Sequence, residues 1–170
     1  MTDSPTEPTD ATTHTVTPHT TAADSTTAKA LSPFWAIADD LGKLVLRGGF
    51  GLMMAIGHGW AKASDFEKTA GFMDGMMGGL PGWLNATLAT GAELGCALLL
   101  VIGLGTRLAA LPLIFTMGYA AFVFHGEHPM FAQGGPSKES AVVYLIAFAA
   151  IALLGPGRFS LDKLLFGRGR

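Results

Sequence analysis

Two charged residues fall where a charge is expensive. Arg47 and Glu93 each lie inside an apolar stretch of about 20 residues, 42–61 and 84–103, and a charge in hydrocarbon costs about 2.5 to 3.5 kcal/mol on insertion scales. Both must therefore face a protein interior and find partners. Counted from one shared edge, Arg47 is about five residues deep and Glu93 about ten, a difference of roughly 7 Å at 1.5 Å per residue, which an arginine can span. Unless the two residues do not meet at all, two chemistries fit a pairing of this kind. One is a buried ion pair that fixes helix register. The other is a polar pocket between the first two helices, where Glu93 exchanges a proton and Arg47 holds an anion or a quinone carbonyl.

His58 and Lys62 extend this set. Arg47, Gly51, Met54, His58 and Lys62 follow spacings of four, three, four and four, which places them on one helix face pointing inward. Arg47, His58, Lys62 and Glu93 are thus the candidates for a polar interior. Gly57 and Gly59 would let another helix approach His58, and Gly91 and Gly95 form a GxxxG pattern around Glu93 that would bring a second backbone to the carboxylate. His125-Gly-Glu127-His128, a cluster of possible metal ligands, matches no specific zinc pattern and reads better as a solvated loop, with metal binding or proton uptake as the lesser alternative, so no metal site is expected. Cys96 is alone and reads as a buried packing residue. There is no Walker, dinucleotide-binding, CxxCH or serine-hydrolase motif, and no histidine placement for haem, so no haem, flavin or nicotinamide cofactor is indicated.

The elements that must carry these residues are membrane helices. Hydrophobic residues make up 49% of the chain and charged ones 14%, with a mean hydropathy of +0.41, a balance that suits lipid. The net charge of −2 and the lack of a basic stripe argue against a nucleic-acid partner. Residues 42–61, 84–103, 108–124 and 140–154 read as four spans. Pro112 would stand near the start of the third, where a helix tolerates it, and Tyr144 near the outer end of the fourth. With four spans the termini share a side with Lys43, Arg107, Arg158 and Lys163, so both termini are expected to be cytoplasmic.

The loop 62–83, rich in Met and Gly between Trp60 and Trp83, is expected to lie at the interface or cap the helices. Roughly a third of the first 33 residues are Thr, which predicts a disordered tail. Its His14 and His19 are isolated and suggest no metal role. After the fourth span, Gly155-Pro156-Gly157 stops the helix and Ser160 caps a short amphipathic segment.

The chain from about Lys43 to Leu165 resembles the DoxX family of small four-helix bacterial membrane proteins. The resemblance rests on Arg47 followed by Gly57-His58-Gly59-Trp60-Ala61-Lys62, on Glu93-Leu94-Gly95 with Gly103-Leu104-Gly105-Thr106-Arg107, and on Gly155-Pro156-Gly157-Arg158-Phe159-Ser160-Leu161-Asp162. It implies a redox-linked membrane role with quinone or thiol/thiosulfate chemistry and oxidoreductase subunits as partners, and it assigns no catalytic residue. The expectation is an all-α polytopic membrane protein, a four-transmembrane-helix bundle (34–166) behind a disordered tail (1–33), in the inner membrane. A small transporter or permeation module and a non-catalytic scaffold are the alternatives.

Overall fold

A computed structural model describes residues 22–132 and 134–167, with side chains from Phe34 onward. The described residues are all-helical, without strands. The helices are α1 (Ala22–Met54), α2 (Trp60–Ser64), α3 (Phe66–Phe72), α4 (Gly82–Thr90), α5 (Ala97–Ile102), α6 (Thr106–Tyr119), α7 (Glu139–Leu154) and α8 (Leu161–Phe166). Helix α1 begins inside the stretch expected to be a disordered tail, and residues 1–21 of that stretch, with His14 and His19, lie outside the described residues.

Three π-helical turns interrupt the helical course: Ala55–Gly59 joins α1 to α2, Gly91–Cys96 joins α4 to α5, and Ala120–Phe124 extends α6. A π turn holds an extra residue and so rotates every later side chain around the axis. This corrects the single stripe expected on the first helix. Arg47, Gly51 and Met54 are buried, but the extra residue passes the buried face to Ala55 and Gly59, leaving His58 exposed and Lys62 half-buried.

Two helices of the described residues are long and apolar enough to cross a membrane, Gly82–Ile102 and Thr106–Phe124, with α7 a shorter apolar helix. The stretch 42–61 carries Lys43, Arg47, His58 and six glycines, which lower its hydropathy. Pro112 sits well inside α6 rather than near its start. Its ring leaves the Leu108 carbonyl without the usual donor.

The core is built from small residues set among a few large ones. Ala97, Ala109 and Ala110 pack with Leu100, Leu113, Phe148 and Ile151, and small side chains of this kind let helix backbones approach closely. Tyr144 belongs to this core instead of standing at an outer end, with its ring stacked on Phe148 and edge-on to Phe50. The first helix runs antiparallel to the second. A Cβ on Gly51 would lie 3.0 Å from the Ala97 carbonyl oxygen, and one on Gly59 would lie 2.6 Å from Leu94 N and 2.7 Å from the Glu93 carbonyl oxygen.

One end of the helices is tied by Arg47 and Asp162. Arg47, 1% exposed, donates to the carbonyls of Leu100 (2.8 Å), Val101 (2.6 Å) and Phe159. Leu100 and Val101 lie in the last turn of α5, where the carbonyls have spare acceptor capacity and a cation is favoured. Gly103 then turns the chain at φ +73°, and a Cβ there would strike the guanidinium at 2.8 Å. On the other side of the link, the Asp162 carboxylate accepts the free N–H groups of Gly105 (2.6 Å) and Thr106 (2.9 Å) at the start of α6. An anion is favoured at that helix end. Ser160 caps α8 by accepting from Lys163 N at 3.2 Å, as expected. Asp40 closes the clasp by accepting from Arg158 N at 2.9 Å.

Three outcomes follow from this packing. Arg47→Met would leave three carbonyls without their charged donor and should cost about 3 kcal/mol, read as a lower thermal midpoint in detergent; an unchanged midpoint would refute the clasp. For Asp162, burial alone would raise the carboxyl, but the Thr106 and Gly105 N–H groups and the Arg47 charge outweigh it and hold the group below its ordinary value. Its contribution is then complete above the unfolded carboxyl value of about 3.9 and lost as pH falls through the lower folded value. Acid unfolding should show this loss in the wild type and lack it in Asp162→Asn. Finally, Gly59→Ala should destabilise, because backbone atoms of Glu93 and Leu94 block the methyl. Gly57→Ala and Gly91→Ala, which face open space, should be neutral or stabilising by up to about 1 kcal/mol.

Candidate functional site

At the end opposite the clasp, a cavity of about 400 Å³ opens between the helices and beneath the Met-rich loop. The loop is folded over it by hydrogen bonds rather than left free. Asn85, 1% exposed, donates from Nδ2 to the carbonyls of Met73 (2.9 Å) and Leu80 (3.2 Å). Tyr119 donates to the Met76 carbonyl at 2.5 Å, and Asp74 accepts from Gly82 N at 2.7 Å. These bonds place Phe72, Met73, Met76 and Met77 on the cavity wall. Of the two placements expected for this loop, capping is the one the contacts support.

Glu93 does not pair with Arg47. Its carboxylate, on a residue 4% exposed, receives Lys62 Nζ in an ion pair, and both residues line the cavity. The antiparallel register explains the change of partner. Gly59 meets Glu93, so Lys62, one turn further, comes level with the carboxylate, while Arg47 lies beside Leu100 and Val101. The depth estimate placed Arg47 and Glu93 about one turn apart; the packing separates them further and points Arg47 towards helix-end carbonyls instead. The close approach at Glu93 comes from Gly59, because Gly91 and Gly95 face open space.

The remaining candidates divide between the two ends. His58 lines the cavity with its ring edge-on to Tyr144, centroids 5.6 Å apart. Arg47 contributes nothing to the cavity lining and serves the clasp. All three π turns supply cavity residues: His58 from the first, Glu93 from the second, and Ala120 and Phe124 from the third. π turns recur at functional sites because they re-aim side chains that a regular helix would turn away.

Sequence reasoning missed Asn85 and the inward position of Tyr144. The signal for Asn85 was available, since it is an amide inside an apolar span. What the arrangement offers chemically is an apolar chamber with a lysine–glutamate pair and the imidazoles of His58 and His125 on its wall. Such a chamber can hold an amphipathic ring and exchange hydrogen bonds or protons with its polar edge. Among the described residues, no three His, Cys, Asp or Glu converge as a metal cluster.

The chain is 34% identical over 135 residues to the inner membrane protein YqjF of Escherichia coli K12, covering 75% of this chain and 94% of that protein. It is 31% identical over 116 residues to the inner membrane protein YphA of the same organism, covering 66% and 82% respectively. No solved structure matches the chain. The sequence model of the DoxX family matches residues 42–126, which hold Lys62, Glu93 and the cavity-forming helices α4 and α6, and the chain belongs to the DoxX family.

Proposed function

We propose that the chain is a multi-pass inner-membrane component of a redox-linked system, and that its cavity receives a quinone-type headgroup. The observation that carries this reading is the Lys62–Glu93 ion pair set in the wall of an otherwise apolar chamber. A ring with polar oxygens fits that combination. Phe72, Leu88, Phe115 and the methionines provide adaptable apolar contact, Lys62 can donate to a carbonyl oxygen, and Glu93 can take a hydroxyl proton.

In this reading four spans cross the bilayer and both termini are cytoplasmic. The clasp end carries Lys43, Arg47, Arg107, Arg158 and Lys163, in line with the excess of basic residues on cytoplasmic faces. The cavity then faces the outer side. Electrons would be exchanged with a thiol or thiosulfate oxidoreductase partner, while this chain's own residues bind the ring and manage its protons.

The test is calorimetric titration of the purified full chain in detergent with a short-chain quinone. Losing one charge-assisted hydrogen bond removes about 1.5 to 3 kcal/mol, so Lys62→Met and Glu93→Gln should each weaken binding about tenfold or more. Arg158→Gln, at the clasp end, should bind as the wild type does. Absence of saturable binding, or equal affinity in the wild type and both cavity variants, would overturn the proposal.

A further inference from the structure

The turn that follows the third π segment brings two imidazoles face to face. His125 N donates to the Ala120 carbonyl at 2.8 Å, and His128 N donates back to the His125 carbonyl at 2.9 Å, closing a tight loop around Gly126 and Glu127. A Cβ on Gly126 would lie 2.7 Å from the Phe122 carbonyl oxygen, so this fold of the turn excludes a side chain there. The result is a separation of 2.9 Å between His125 Nδ1 and His128 Nδ1. The Phe124 ring stands edge-on to His125 with centroids 4.7 Å apart, and Phe72 supports Phe124 in turn.

The two rings share a hydrogen bond at this distance, and the same distance suits two ligands of one ion. Nitrogens each about 2.0 to 2.1 Å from a single ion lie about 2.9 Å apart at a right angle and about 3.4 Å apart at the tetrahedral angle. We propose that His125 and His128 form a two-imidazole chelate for a divalent transition-metal ion of the class that prefers nitrogen ligands, such as Zn²⁺ or Cu²⁺. The inference is independent of what occupies the cavity, although His125 lines the cavity wall. Two protein ligands leave the remaining coordination positions to water or to a small molecule, which makes this an open site rather than a closed structural one.

The surroundings favour coordination over double protonation. A metal ligand must be neutral imidazole, and His125 and His128 are both partly buried and already in contact through their Nδ1 atoms. Lys138 is the opposing charge, with its Nζ at 2.9 Å from the Gly126 carbonyl oxygen. Across the cavity, Lys62 is already matched by Glu93, and His58 faces Tyr144.

Titration of the untagged full chain in detergent with Zn²⁺, read by competition with a chromophoric chelator, tests the site. One equivalent should bind, and His125→Asn and His128→Asn should each weaken it by about tenfold or more, while a His14→Ala/His19→Ala double variant should bind as the wild type does. Acidification should weaken binding as protons compete for the imidazoles. Because a variant can fail to fold, the wild type loaded with Cu²⁺ provides a second readout, with electron paramagnetic resonance expected to show two imidazole nitrogens on the ion. Lack of saturable binding, wild-type affinity in the His125→Asn/His128→Asn double variant, or a spectrum without a second imidazole would overturn the site.

Discussion

A guanidinium in an apolar interior must have its donors met, and much of one end of this protein is arranged around that requirement. Among the described residues Arg47 makes no hydrogen bond to a carboxylate; its two terminal nitrogens donate to three backbone carbonyls, two of them in the last turn of α5. That choice suits the helix end, where the carbonyls have spare acceptor capacity and a cation is favoured. Asp162 does the converse at the start of α6, where its carboxylate meets two N–H groups that no helix could satisfy. The short link between α5 and α6 is therefore held by a cation on one side and an anion on the other, supplied by α1 and α8. Gly103 and Gly105, both at positive φ, make the turn between them tight enough for this to work.

The same register fixes the opposite end. Once Arg47 is seated beside Leu100, the antiparallel run of the first two helices brings Gly59 onto the backbone of Glu93, and Lys62 then has a carboxylate to meet. A residue with a Cβ at position 59 would push the helices apart where the ion pair forms. The π turns add a second constraint. Each inserts a residue into a helix, and each delivers side chains to the same chamber. A regular helix keeping Arg47 and Met54 buried would have carried on that same face to His58 and Lys62; the extra residue moves the buried positions to Ala55 and Gly59 and leaves the two polar side chains at the cavity.

Much of this was legible in the sequence. Apolar stretches placed at 84–103, 108–124 and 140–154 correspond to helical segments Gly82–Ile102, Thr106–Phe124 and Glu139–Leu154, because long apolar runs between Gly and Pro leave little choice of boundary. Arg47, Lys62 and Glu93 were recognisable as residues needing partners, since charge in an apolar run carries its own penalty. The partners themselves were not legible. Pairing depends on how far one helix slides along another, and the register that sets Gly59 against Glu93 puts Lys62, not Arg47, within reach of the carboxylate. The GxxxG pattern misled for a similar reason: Gly91 and Gly95 mark where a backbone could approach, while Gly59 is where it does. π turns have no reliable sequence signature, so the rotation that relocates His58 could be seen only in the fold.

The division of charge between the two ends separates the residues that hold the helices from the pair that lines the cavity. A buried charge whose terminal nitrogens are taken up by backbone carbonyls, like Arg47, has little to offer a ligand, because displacing it would strip those carbonyls of a charged donor. A pair such as Lys62 and Glu93 is different. Each partner's principal contact is the other, and both border a chamber wide enough for a guest, so either can transfer a hydrogen bond to a ligand without disturbing the helix ends. Rigidity at the clasp keeps the register, and the register keeps the pair in place beneath a loop of flexible methionines. The charges that sequence reasoning joined into one interior site are better understood as two systems, one that holds the helices and one that the helices hold.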